Sequence, residues 1–308
     1  MANLNKTPDQ IKRMLDKRLK GSDRAIAKRY AVLLNEVRSN VATLYEKYEE
    51  GGVLTYEEMA KYDRLDKFVG EVNSLLKNNY ADIQDVIYEV LGESYRDGFY
   101  LTAWAVETDT LSKLAYSAVK PETITKMIEN PISGLKLNHR LEKSRSEIVY
   151  KIQQEVTHGL VKGETYGTMA ARIKQTLGDD AGKAMAVVRT EGHRVTEAAK
   201  HDSAVHATRN GVIMMKEWNT MEDGRVRNGK KTPSNHAMLN DVKVALDKNF
   251  DDGLGNGPAP GQLGAAASDI NCRCFLTYSV EAIEKPDAQE LEDMTFETWQ
   301  NERIRGEG

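Results

Sequence analysis

Only two cysteines occur in the 308-residue chain, Cys272 and Cys274, one residue apart in "SDINCRCFLTYSV". Thiols this close can hold a metal, cycle as a redox pair, supply a nucleophile, or simply pack as small apolar groups. Zinc usually takes cysteines spaced by two to four residues together with two further ligands. C-x-C therefore needs help from elsewhere, and His236, in the loop-rich segment just upstream, is the obvious third donor. His193, His201 and His206 lie on the preceding helical stretch. A disulfide spanning a single residue would be strained, and a chain with two cysteines has no disulfide framework.

Two other clusters carry chemistry-bearing groups. In "RTEGHRVTEAAKHDSAVH", Arg189, His193, Thr196 and Lys200 recur on one helical face, and Glu197 and His201 stand four apart as zinc ligands on a helix can. The H-E-x-x-H protease pattern is absent. One reading is an ion-paired helix surface; the other is that Arg189 and Glu191 reach across to the strands and lock helix to sheet. In "MEDGRVRNGKKTPSNH", Asp223 can pair with Arg225 or Arg227. Arg225, Arg227, Lys230 and Lys231 form a basic cluster suited to phosphate or an acidic partner, or to plain solvation. Asp223 and His236 could serve as acid and base. No nucleophile elbow, Walker loop or Gly-rich phosphate cradle accompanies them.

The elements that must position these groups divide into helices first and strands last. Apolar residues at three- and four-residue steps predict a helix from "QIKRMLDKRL" through Leu44 that stops at Gly51-Gly52. A second starts at Thr55, which with Glu58 has capping-box spacing, and a third covers "IQDVIYEVLGESYRDGFYLTAWAVE". Residues 108–140 are broken by Pro121, Pro131 and Gly134. Three more helices are expected, ending at Gly163, Gly178 and Gly211. "VIMMKEW", "DVKVALDKNF" and "CFLTYSV" read as strands, and a Gly/Pro-rich loop of about twenty residues precedes the last of them. Weak helical potential returns at "AQELEDMTFETWQNERI". The fold class is α+β: long N-terminal helices, then a helical segment packed on a small, mainly antiparallel sheet. The expected division is an N-terminal helical region (1–108), a broken connecting segment (109–139), a domain at 140–280 and an acidic C-terminal tail (281–308).

Apolar residues make up 40% and charged residues 29%, with a net charge of −4, so the whole chain has no nucleic-acid signature. Charge is unevenly placed, however. Residues 6–38 carry ten Lys or Arg against four Asp or Glu, and residues 281–308 carry nine acids against three bases. No stretch has the roughly 20 apolar residues of a membrane span, and the first twenty residues lack the apolar core of a signal peptide. The expectation is a soluble protein made in a reducing cytosol.

The motifs recur together, in this order, in one family. "RTEGHRVTEAA" at 189–199, "KEW" at 216–218, "DGRVR" at 223–227, "HAMLND" at 236–241 and "INCRC" at 270–274 resemble the Mu F-like minor head proteins of tailed bacteriophages, the phage head morphogenesis family. The resemblance covers about residues 140–280. Its motif positions here are Arg189, Thr190, Glu191, Lys216, Trp218, Asp223, Arg225, Arg227, His236, Asn271, Cys272, Arg273 and Cys274. One departure is the insertion "NGKKTPSN" between Arg227 and His236, where the family's histidine follows its Arg pair closely. A longer surface loop is the expected effect. The Asn-Cys-Arg-Cys is expected to close the domain by returning the last strand against the Lys-x-Trp strand, near His236.

The resemblance implies a non-enzymatic minor capsid protein of the virion, in the capsid interior near the portal and in the host cytoplasm during assembly. It implies the portal protein as partner, with scaffold or major capsid protein and phage DNA as further ones, and roles in procapsid assembly and in DNA packaging or ejection. Any DNA contact is expected to be non-specific, through Lys12, Arg13, Lys17, Arg18, Lys20, Arg24, Lys28 and Arg29. The alternative is a metal-dependent hydrolase of the phage head built on His236, Cys272 and Cys274, with zinc as its cofactor. A toxin-like effector is a weaker rival, since such domains can be fused to toxins, and only about 34 residues follow Cys274.

Overall fold

Apolar side chains at helical spacing produce one long first helix, α1 (Ala2–Tyr48), in a computed structural model that describes residues 2–131, 134–283 and 291–305. Pro8 lies inside α1, where it removes one backbone donor near the start. The opening N–H groups are satisfied from a distance: Asn3 and Leu4 donate to the two carboxylate oxygens of Asp109, at 3.1 and 2.9 Å. Gly51 and Gly52, both at positive φ, turn the chain after α1 as expected. Thr55 caps α2 (Tyr56–Ala60) by accepting from the Glu58 N–H at 3.2 Å. The Glu58 carboxylate goes instead to Lys61 and Arg64, so only the threonine half of the capping box forms.

Three boundaries differ from the sequence expectation. The helices expected on either side of residue 81 are one, α3 (Arg64–Thr110), because no Gly or Pro interrupts "LKNNYADIQ". Within the broken segment, Pro121 sits in the first turn of a short helix, α4 (Pro121–Ile128). Gly178 does not stop a helix: α6 (Tyr166–Arg209) runs straight through it. A mid-helix glycine costs about 1 kcal/mol, and the burial of Ile173, Leu177, Ala184 and Val188 outweighs that. Gly163 and Gly211 do end helices. After α5 (Leu137–Lys162), Gly163 takes φ +63° while Glu164 N–H returns to the Gly159 carbonyl at 2.9 Å.

The chain forms two compact units, each assembled from separate stretches. One comprises Gly21–Tyr88 and Leu137–Val187 and is helical. Its core holds Leu33, Val37, Leu76, Ile83, Ile148, Ile152 and Ile173. Asp180, buried there, accepts from both Tyr30 and Tyr80 hydroxyls at 2.6 Å, and burial pushes its carboxyl above the usual range.

The other unit comprises the residues up to Lys20, Glu89–Lys136 and those from Val188 on. It contains the α+β part. β1 (Val212–Asn219), β2 (Val242–Ala245) and β5 (Phe275–Ile283) form an antiparallel sheet in the order β2-β1-β5. Alternate β1 residues Val212, Met214, Lys216 and Trp218 are buried, the period-two pattern of a half-buried strand. Trp218 stands opposite Leu276 and Lys216 opposite Tyr278, with a bulge between Ile213 and Met214. The Gly/Pro-rich loop is ordered: β3 (Phe250–Asp251) pairs with β4 (Asn256–Gly257), and α7 (Ala266–Asp269) follows. Of the expected C-terminal helical stretch, 288–290 lies outside the described residues. Its later part forms α8 (Phe296–Gln300), whose Trp299 is fully buried and donates to Glu107 at 2.7 Å.

Candidate functional site

β5 is an edge strand, and its outer edge is closed by side chains of α6. His193 Nε2 donates to the Cys274 carbonyl at 2.6 Å, Glu197 accepts from the Leu276 N–H at 2.8 Å, and Lys200 donates to the Leu276 carbonyl at 2.8 Å. The spacing works because one helical turn rises about 5.4 Å and two strand residues span about 6.6 Å. Lys200 also bonds both Glu197 oxygens, at 2.9 and 3.0 Å. Helix and sheet are thus locked by Glu197 and Lys200. Glu191 pairs at 2.8 Å with Arg194, whose guanidinium also donates to the Met127 and Ile128 carbonyls at the end of α4. Sequence reasoning had placed Glu197 as a candidate zinc ligand with His201. The signal it lacked was which strand edge the helix faces.

The motif residues converge around this lock. Thr190 and Asn271 meet through the Thr190 hydroxyl, 3.4 Å from both the Asn271 side-chain oxygen and backbone nitrogen. Asn271 takes φ +58°, which turns the chain into β5. Asp223 pairs with Arg225 as expected, at 3.2 Å, and also takes a two-pronged grip from Arg273, at 2.6 and 2.8 Å. These bonds, led by Arg273, hold its carboxyl well below the usual range. Arg227 donates to the Ile270 carbonyl. The insertion after it is looped out: Gly229 bonds the Ser234 carbonyl and Ala237 bonds the Arg227 carbonyl at 2.8 Å, so the loop begins and ends at one place.

Lys216 is fully buried and donates to the Pro258 carbonyl at 2.8 Å, pinning the Gly/Pro loop. Burial brings its ammonium down to about 8. Because the unfolded lysine titrates at 10.5, the unfolded chain binds more protons between pH 8 and 10.5, and stability rises with pH across that window. The rise from this group is up to about 3 kcal/mol. Replacing Lys216 with methionine should abolish it. The check is the difference in unfolding free energy between the two proteins as a function of pH, and a flat difference would contradict it.

Cys272, Cys274 and His236 come together. Residues two apart in extended chain share a face, and both sulfurs approach His236 Nδ1, at 3.6 and 3.4 Å. The three donor atoms lie within 4.8 Å of one another, and all three residues are buried. Among the described residues this is the one such group of His, Cys, Asp or Glu donors. Trp218 packs edge-on against the imidazole at 5.4 Å. On the other side of the ring, His236 Nε2 lies 3.2 Å from Asp252 Oδ2, out of line for a full hydrogen bond. Asp252 is held by Ser234 and by the Leu254 and Gly255 N–H groups, which outweigh burial and bring its carboxyl to about 2. Mutual contact pushes the Cys272 thiol up and the Cys274 thiol down.

Beside this group lies a cleft of about 900 Å³ lined by α1 residues including Lys12 and Leu15, by Arg189 and Glu197 of α6, and by Arg225 and Cys272. Of the basic residues expected to meet DNA, Lys12, Arg13, Lys17, Lys20, Arg24 and Lys28 are exposed along α1. Arg18 and Arg29 are half-buried and paired, Arg18 with Asp97 and Glu93 and Arg29 with Asp82.

Residues 150–277 match the family model described as Phage Mu protein F like protein. The minor head protein GP7 of Bacillus phage SPP1 is 31% identical over 274 residues, which span 89% of this chain and 87% of that protein. The chain therefore belongs to the Mu F-like family of phage head morphogenesis proteins. The NAD(+)--arginine ADP-ribosyltransferase EFV of Enterococcus faecalis (strain ATCC 700802 / V583) is 22% identical over 311 residues, 99% of this chain but 62% of that protein. No solved structure matches the chain significantly.

Proposed function

We propose that this is a non-enzymatic minor capsid protein that associates with the portal, enters procapsids with scaffold or major capsid protein, and touches phage DNA non-specifically during packaging or ejection. It would be made in the host cytoplasm and end in the capsid interior. The observation that carries this reading is the near full-length likeness to a minor head protein. The fate of the polar motif residues supports it as well. Asp223, Glu191 and Glu197 are each engaged by Arg or Lys in bonds that hold elements together, whereas catalysis needs groups aimed at a substrate. Co-purification with the portal protein from procapsids is the direct test. Recovery of portal rings without this chain would refute the association.

DNA contact rests on six exposed bases along α1. If all six meet phosphates, log affinity should fall against log salt with a slope of about −5. Changing Lys12, Arg13, Lys17, Lys20, Arg24 and Lys28 to glutamine in the full chain should remove most of the binding and flatten the slope. Binding that ignores salt, or survives the six changes, would contradict this contact.

A further inference from the structure

We propose that His236, Cys272 and Cys274 hold a structural zinc ion, with Asp252 as the positioning residue behind the histidine. The argument rests on distances and on hydrogen-bond counting. Zinc binds thiolate sulfur at about 2.3 Å and imidazole nitrogen at about 2.0–2.1 Å, so a tetrahedral ion sets N and S ligands about 3.6 Å apart. The observed separations are 3.6 and 3.4 Å. A metal-free reading accounts for the geometry less well. Imidazole Nδ1 has one lone pair and can accept from one thiol. Here two buried sulfurs converge on that single atom, and the second thiol is left with only the other sulfur, a weak acceptor.

The surroundings match what a bound ion requires. Two thiolates and a neutral imidazole around a divalent cation sum to no net charge, which suits a site buried beside Trp218. Metal-bound histidines turn their other nitrogen to a carboxylate, and Nε2 faces Asp252 at 3.2 Å. Asp252 is itself fixed by two backbone N–H groups and Ser234. Cys272 also walls the 900 Å³ cleft, which gives solvent a route to the fourth position. Among the cleft carboxylates, Glu197 is spent on Lys200 and Leu276, so it is not a general base for a metal-bound water. The ion would staple the 236 loop to the start of β5, a role independent of whether the chain meets portal or DNA.

The test uses the full chain, purified under reducing conditions without a metal column. We expect a single zinc per chain by elemental analysis, released in step with mercurial titration of two thiols. Removing it with a chelator should lower the unfolding midpoint, and added zinc should restore it. Asp252→Asn should weaken zinc affinity about 10- to 100-fold while leaving stoichiometry at saturating zinc unchanged. A purely structural Asp252 would not shift affinity in that way. Folded chain with negligible zinc and no stabilisation on adding it would overturn the proposal. So would another metal at full stoichiometry, or a Cys272–Cys274 disulfide.

Discussion

Replacing Glu197 with alanine should destabilise the protein by about 3–5 kcal/mol, the usual cost of removing one member of a buried ion pair. Three losses coincide. The Lys200 ammonium, 2% exposed, would keep its charge with its main partner gone. The Leu276 N–H would lose its acceptor at the sheet edge. The closed edge of β5 would open to foreign strands. Glu197→Gln should cost less, because the amide oxygen can still accept from Leu276. Denaturant unfolding of the three proteins is the measurement, and a loss under about 1 kcal/mol for the alanine variant would mean that the lock is not what holds β5.

Gly257→Ala should be at least as damaging, above about 4 kcal/mol or enough to prevent folding. A methyl at this position would lie 1.8 Å from the Gln262 carbonyl oxygen and 3.0 Å from Leu263 Cα. Both are backbone atoms, so no rotamer change relieves the clash. The contrast is Gly178→Ala, in the middle of α6, where a methyl meets nothing within 4 Å. That change should stabilise the helix by up to about 1 kcal/mol. If both variants unfold alike, close approach within the Gly/Pro loop does not account for Gly257.

Much of this architecture could be read from the chain before any coordinates. The strand at "VIMMKEW" was legible because the run is apolar, branched and ended by an aromatic, and "CFLTYSV" also reads as a strand. The stops at Gly163 and Gly211 were legible because both positions take positive φ. Gly178 misled because composition cannot show that the helix is buried along neighbouring turns. The meeting of His236 with the cysteines was anticipated from their confinement to one end of the domain, but its partners were not. Asp252 sits in a loop that reads only as Gly/Pro-rich, and its value lies in backbone bonds that a sequence pattern does not carry. Glu197 was read with His201, and Lys200 with Arg189, His193 and Thr196, for a similar reason: spacing along a helix does not show which strand edge is laid against it. Which stretches pack into which compact unit was equally hidden, since periodicity describes one element at a time.

The Asp109 contact has a consequence for synthesis. The first N–H groups of α1 are capped by a residue more than a hundred positions later in the chain. While the ribosome is still translating the intervening segment, those donors have only water, and Pro8 already removes one bond from the same end. The start of α1 therefore frays until the end of α3 has emerged. Completion of this helix terminus is a late event set by translation.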